Sequence, residues 1–153
     1  MKKLIIFLCS GLLLGGCVAQ PRDREVIATK DAPAAIGPYS QAIRVGNTLY
    51  LAGQSPIDPS TGKLVEGGIT EQTQQVLSNI QAVLNAAGFS MKDVVQSQVF
   101  LSDLSNYAAM NTVYGSYFKE APPARAAVQA ARLPKDALLE IMVTAVKTNS
   151  EQR

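Results

Sequence analysis

Pro122-Pro-Ala-Arg-Ala-Ala-Val-Gln-Ala-Ala-Arg-Leu-Pro-Lys-Asp-Ala-Leu-Leu-Glu-Ile-Met-Val143 sets the end of the sheet and holds the chain's sharpest chemical conflict. Residues 124–132 and 138–147 read as strands, with Pro134-Lys135-Asp136 as the turn between them. That reading makes a hairpin and brings Arg125 and Glu140 toward one cleft. Glu140 lies inside the apolar run 138–146. An isolated ionised acid is costly there, so it must pair, neutralise or do chemistry. The Arg125 guanidinium stays charged and offers a planar fork of donors, which suits an anion. The alternative, which physics alone favours, is a structural ion pair or a strand glutamate facing water.

Upstream of this segment the patterning is regular. Glu25 to Ala28 can start a first strand, and Asp31-Ala-Pro-Ala-Ala-Ile-Gly-Pro-Tyr39 is a loop punctuated by prolines and a glycine. Strands at 42–45 and 48–52 flank Gly46-Asn47, a two-residue hairpin signal. A Pro-, Gly-, Ser- and Asp-rich loop follows at 54–68. Thr70 is an N-cap candidate for a helix whose stripe is Val76, Leu77, Ile80, Val83, Leu84 and Ala87, closed by Gly88. Residues 94–101 form a strand with Val95, Val99 and Leu101 on one side. A second helix over about 105–118 has the stripe Tyr107, Met110, Tyr114, Tyr117 and Phe118, which reads as core. The order β-β-β-α-β-α-β-β predicts an α+β domain, a mixed sheet with two helices on one face. The other face carries many apolar residues, and a homo-oligomer would cover it.

At 153 residues, 47% hydrophobic and 17% charged, the chain has enough length for one domain with a proper core. The net charge of +2 comes from Lys2 and Lys3; residues 17–153 carry 12 basic and 12 acidic side chains. No clustered Lys and Arg suggests a nucleic-acid footprint, so no nucleic-acid partner is expected. The chain has no histidine and only Cys9 and Cys17. A Ser-His-Asp triad, a Cys-His pair and a His-based zinc site are therefore excluded, and no metal or cofactor is expected. Acid–base work falls to Asp, Glu, Tyr or Lys.

Met1-Lys-Lys, then an apolar stretch from Leu4 to Gly16, then Cys17, reads as a secretory signal too short to span a bilayer comfortably. Leu14-Gly15-Gly16-Cys17 resembles a bacterial lipobox. That resemblance implies a signal peptide at 1–16, lipidation of Cys17, and a short tether over 17–24. The domain then spans 25–148, with a tail at 149–153. An ordinary cleaved signal or an uncleaved anchor, with Cys17 incidental, is the alternative. The expected location is the cell envelope, lipid-anchored and periplasm-facing. Val18 after the cysteine favours the outer membrane.

Three separated segments resemble the RidA/YjgF family of imine and enamine deaminases. They are Ala32-Pro-Ala-Ala-Ile-Gly-Pro-Tyr-Ser-Gln-Ala, Ala52-Gly-Gln-Ser-Pro-Ile-Asp-Pro-Ser-Thr-Gly, and Pro123-Ala-Arg-Ala-Ala-Val through Ala131-Arg-Leu-Pro-Lys-Asp-Ala-Leu-Leu-Glu-Ile. The resemblance implies a chorismate-mutase-like fold, a homotrimer, and active sites between subunits. It implies hydrolysis of small 2-imino or enamine acids, such as 2-aminoacrylate, to 2-oxo acids and ammonia. Arg125 matches the arginine that clamps the substrate carboxylate, Glu140 the glutamate that activates water, and Tyr39 a tyrosine lining the site. Gly53 and Ala127 match positions whose backbone contacts substrate or water, and Asn111 matches a helix asparagine near the pocket. Without the resemblance, Tyr39 can merely pack on its loop, Asn111 can be an exposed helix residue, and Gly53 can allow a bend. Ala127 stands where many members have cysteine, and Ala52 where the family has serine. An envelope chaperone or adaptor reusing the trimeric scaffold is the competing function.

Overall fold

The computed structural model describes residues 24–148. The lipobox at Cys17, the signal before it and the tail over 149–153 lie outside the described residues. Strands β1 (Arg24–Ile27), β2 (Ala42–Val45) and β3 (Thr48–Leu51) come first, then α1 (Ile69–Ala86), β4 (Val94–Leu101) and α2 (Tyr107–Tyr117). The strands β5 (Ala124–Gln129) and β6 (Leu139–Val146) follow and are the last of the described elements. All six strands form one sheet in the order β1-β2-β3-β6-β4-β5. Arg24, expected in the tether, is the first residue of β1.

The predicted hairpin between the last two strands does not form. Strand β4 lies between them, pairing parallel with β5 and antiparallel with β6. The reason is connectivity. Helix α2 carries the chain back from the end of β4, so β5 enters in the same direction, as a crossover requires. The residues between β5 and β6 are too many for a tight turn and contain a 3-10 turn at Pro134–Asp136. They pass the chain across β4 to the slot beside β3. The hairpin at Gly46-Asn47 does form, with Val45 opposite Thr48 and Gly46 at φ 61.

Helix α1 begins earlier than expected, with Gly68 rather than Thr70 at its N-cap. Glu71 reaches back to accept the Gly68 N–H at 2.8 Å, which satisfies an orphan donor of the first turn. At the other end Gly88 takes φ +75, donates to Asn85 O, and is followed by Phe89 N donating to Leu84 O. These paired bonds are a Schellman close. The predicted stripe of α1 is fully enclosed, and both helices lie on one face of the sheet over Leu49, Val99, Leu101, Ile141 and Val143. In α2, Met110, Tyr114 and Phe118 are core as expected, but Tyr107 is 40% exposed. In β4 a register shift between Val94 and Gln96 turns Val95 outward and leaves Val94 to pack inward.

Among the described residues no helix lies on the second face. The register places Val26, Ile43, Tyr50 and Thr144 in one row across it, and Glu140, Phe100 and Val128 in another. Val26, Tyr50 and Val128 are about half exposed there.

Candidate functional site

The sequence-predicted residues fall into two groups on opposite faces of the sheet. Arg125 pairs with Ser97, and Ser97 with Val143, so Arg125 shares the helix-covered face with those buried residues. Glu140 stands three residues from Val143 along β6 and pairs with Phe100, which puts it on the open face. Two strand spacings and three residues separate their Cα atoms by roughly 14 Å. Within one chain the acid and the guanidinium do not meet.

Glu140 belongs to a cavity of about 590 Å³ walled by residues such as Ile36, Tyr39, Gly53, Ser55 and Lys135. Its carboxylate fills the space beside the Gly53 Cα. A Cβ at that position would fall 2.1 Å from Glu140 Oε1 and 2.8 Å from its Cδ. Gly53 is therefore a close-approach glycine, and it also lies where the pairing with β6 slips by one residue between Tyr50–Thr144 and Gln54–Ile141. Ser55 Oγ donates to Glu140 Oε2 at 3.2 Å. Among the described residues no cation stands within ion-pair distance of Glu140. Tyr39 is half exposed, and its hydroxyl accepts from Ile36 N at 3.4 Å, folding the ring over its own loop.

Arg125 sits at the sheet edge, with its guanidinium carbon 4.5 Å from the Tyr114 ring centre and 5.6 Å from that of Tyr107. Its Nη2 donates to Tyr107 Oη at 3.0 Å. Two ring faces and one hydroxyl thus aim the fork, a geometry that stabilises a cation without neutralising it. Asn111, one turn along α2, and then the Arg125 guanidinium hold the Tyr107 hydroxyl below the usual phenol range. Burial pushes the Tyr114 hydroxyl up, with Ser97 and Arg125 acting in the opposite sense. Neither the Tyr114 nor the Ser97 hydroxyl completes a well-aligned hydrogen bond. Ala127 lies opposite Val99, half buried on the same face as Arg125.

So Tyr39, Gly53 and Glu140 come together, and Arg125, Asn111 and Ala127 come together elsewhere. Sequence reasoning missed Tyr107, which it assigned to the core, and Ser55, which it left in a loop. It also missed three buried amides that fix the irregular walls. Gln41 Nε2 donates to the carbonyls of Thr29, Ala32 and Pro33 while its Oε1 accepts from Thr29 N. Asn79 Nδ2 donates to the carbonyls of Ser55 and Ile57, and Gln72 Oε1 accepts from Leu138 N. Gln72 and Asn79 continue the apolar stripe of α1 at helical spacing, and polar residues inside such a stripe were the available signal.

A family model described as endoribonuclease L-PSP matches residues 29–147. A RutC family protein of Pyrococcus horikoshii is 56% identical over 124 residues, covering 81% of this chain and 98% of that protein. The human 2-iminobutanoate/2-iminopropanoate deaminase is 47% identical over 124 residues, covering 81% and 90%. The crystal structure of RidA from the Antarctic bacterium Psychrobacter sp. superposes with a TM-score of 0.78 at 48% identity, covering 80% and 99%. Matched in fold, in length of domain and at nearly half its residues, the chain belongs to the RidA/YjgF family, the endoribonuclease L-PSP family of that model.

Proposed function

We propose that the protein hydrolyses reactive 2-imino and enamine acids to 2-oxo acids and ammonia, in sites shared between the subunits of a homotrimer. The observation that carries this reading is the separation of Arg125 and Glu140 onto opposite faces. Each is held by its neighbours, and no arginine among the described residues lines the Glu140 cavity, which leaves that place to a second chain. The open apolar face gives that second chain a surface to cover. Relatives at nearly half identity bear the name of this activity.

In the shared site the Arg125 fork takes the substrate carboxylate through two parallel hydrogen bonds. Glu140 accepts a proton from a water as the oxygen attacks C2 of the imine. Glu140 passes that proton to the imine nitrogen, giving a carbinolamine. Glu140 then takes the carbinolamine hydroxyl proton as the C=O bond forms, and delivers it to the nitrogen as the C–N bond breaks and ammonia leaves. The net change is one imino acid and one water to one 2-oxo acid and one ammonia. Lacking clustered basic charge, the chain offers little to RNA despite the family description.

The test is ammonia release from imino acids generated in situ by an amino-acid oxidase. Arg125→Ala and Glu140→Gln are each expected to be inactive. Co-refolding the two variants should restore activity, because about a quarter of interfaces in a random trimer unite an intact Arg125 with an intact Glu140. No recovery on mixing would refute the shared site.

Export as a lipoprotein through Cys17 is a separate proposal, supported by the lipobox-like Leu14-Gly15-Gly16-Cys17. Metabolic labelling with palmitate should mark the full chain in a bacterial host and leave Cys17→Ser unlabelled. Equal labelling of both would dismiss it.

A further inference from the structure

Ser55 is the single hydrogen-bonding partner of the Glu140 carboxylate among the described residues, donating from Oγ to Oε2 at 3.2 Å. Its own position is fixed from three sides. Gln54, the residue before it, exchanges two backbone hydrogen bonds with Ile141, the residue after Glu140, at 2.8 and 3.1 Å. The Ser55 carbonyl accepts from Ile57 N at 2.8 Å and from Asn79 Nδ2 at 3.1 Å. Asn79 is itself buried, and its Oδ1 accepts from Gln75 Nε2 at 2.9 Å. A hydroxyl on so constrained a backbone is a preorganised donor.

We infer that Ser55 is a positioning residue for Glu140: its hydroxyl ties down Oε2 and so presents Oε1, the oxygen lying over Gly53, to the water that attacks the substrate. The inference rests on the deaminase reading for its chemistry and on the hydrogen bond for its geometry. A carboxylate on a flexible stem otherwise rotates, and both oxygens share the proton-accepting role in a range of orientations. Gly53 leaves the space that one carboxylate oxygen occupies, and Ser55 holds the other, so together they fix the orientation of the group. Positioning of this kind acts on the chemical step more than on substrate capture, since Arg125, on the other group, holds the carboxylate.

Threonine and valine have the same shape and differ at this site in the hydroxyl. Ser55→Val is expected to lower kcat roughly ten-fold with KM within about two-fold, and Ser55→Thr to return kcat toward the wild-type value. Equal kcat in the two variants would overturn the inference, because bulk alone would then account for any loss. A crystal structure of each variant gives a readout independent of turnover. The Glu140 carboxylate should stay over Gly53 in wild type and Ser55→Thr and leave it in Ser55→Val. An unmoved carboxylate in Ser55→Val would overturn the positioning role even if activity fell. A wild-type chain that fails to accelerate imine hydrolysis would remove the deaminase reading, and the same three structures would still decide whether Ser55 places Glu140.

Discussion

The missing methyl group of Gly53 determines where the Glu140 carboxylate rests. With Glu140 Oε1 2.1 Å from the position of an added Cβ, no side chain coexists with the present rotamer. The obstructed atoms are the end of a flexible side chain, not backbone, so the carboxylate yields and the fold does not. Gly53→Ala should therefore melt within a few degrees of wild type while losing about 10²-fold in kcat, the lower range for a displaced general base. Calorimetry and imine-decay kinetics on one sample would separate the two effects, and full activity in Gly53→Ala would show that Glu140 does not act from this position. At this scale much of the site was legible in the sequence. Arg125 and Glu140 were conspicuous because a charge in an apolar run needs a reason. Tyr107 was not, since an aromatic at helical spacing reads the same whether it packs in the core or carries a guanidinium on its face.

Among the elements, the segment between β5 and β6 has the most demanding backbone. Lys135 and Asp136 both lie in the left-handed region, at φ 57 and 55, where side chains other than glycine are strained. Arg132 grips Asp136 through two bonds, Nε to Oδ1 at 2.7 Å and Nη2 to Oδ2 at 3.1 Å. The hydrogen bonds and charge of Arg132 hold the Asp136 carboxyl below its ordinary value of 3.8. A depressed carboxylate contributes its stability above the unfolded value and loses it as pH falls through the folded one. Asp136→Asn should thus unfold at lower urea than wild type at neutral pH, and the gap should narrow as pH drops from 3.8 through the depressed value. A gap equally wide at both ends would mean that the ion pair contributes nothing and the asparagine is destabilising by another route. The sequence identified Pro134-Lys135-Asp136 as a turn but not what it joins. Turn residues report local dihedral angles and say nothing of which strand lies alongside. The same limit explains Val95, whose alternation with Val99 and Leu101 is broken by a register shift visible only in the pairing.

For the molecule as a whole, the open face sets the question of assembly. Val128 lies at the sheet edge, about half exposed, in the same row as Phe100 and Glu140. Val128→Glu adds a charge to a surface that the proposed trimer buries. It should give single chains by light scattering, with native circular dichroism and activity down by about 10²-fold or more, because a site divided between chains cannot be assembled within one. A monomer that keeps its activity would place Arg125 and Glu140 in one chain's service after all.

By itself the sequence determined the elements, the two helices on one face, the uncovered apolar face, the exclusion of histidine and thiol chemistry from the folded domain, and the two charged residues that stand out in apolar runs. Those properties follow from periodicity and composition, which are local and additive along the chain. Only the tertiary structure decided that β4 separates β5 from β6, that Arg125 and Glu140 face opposite ways, and that Ser55, Tyr107 and Asn79 support them. Those outcomes depend on which strand fills the slot beside β3 and β4. That choice is made by the crossover of α2 and the packing of two helices on one face, and neither leaves a mark at any single position.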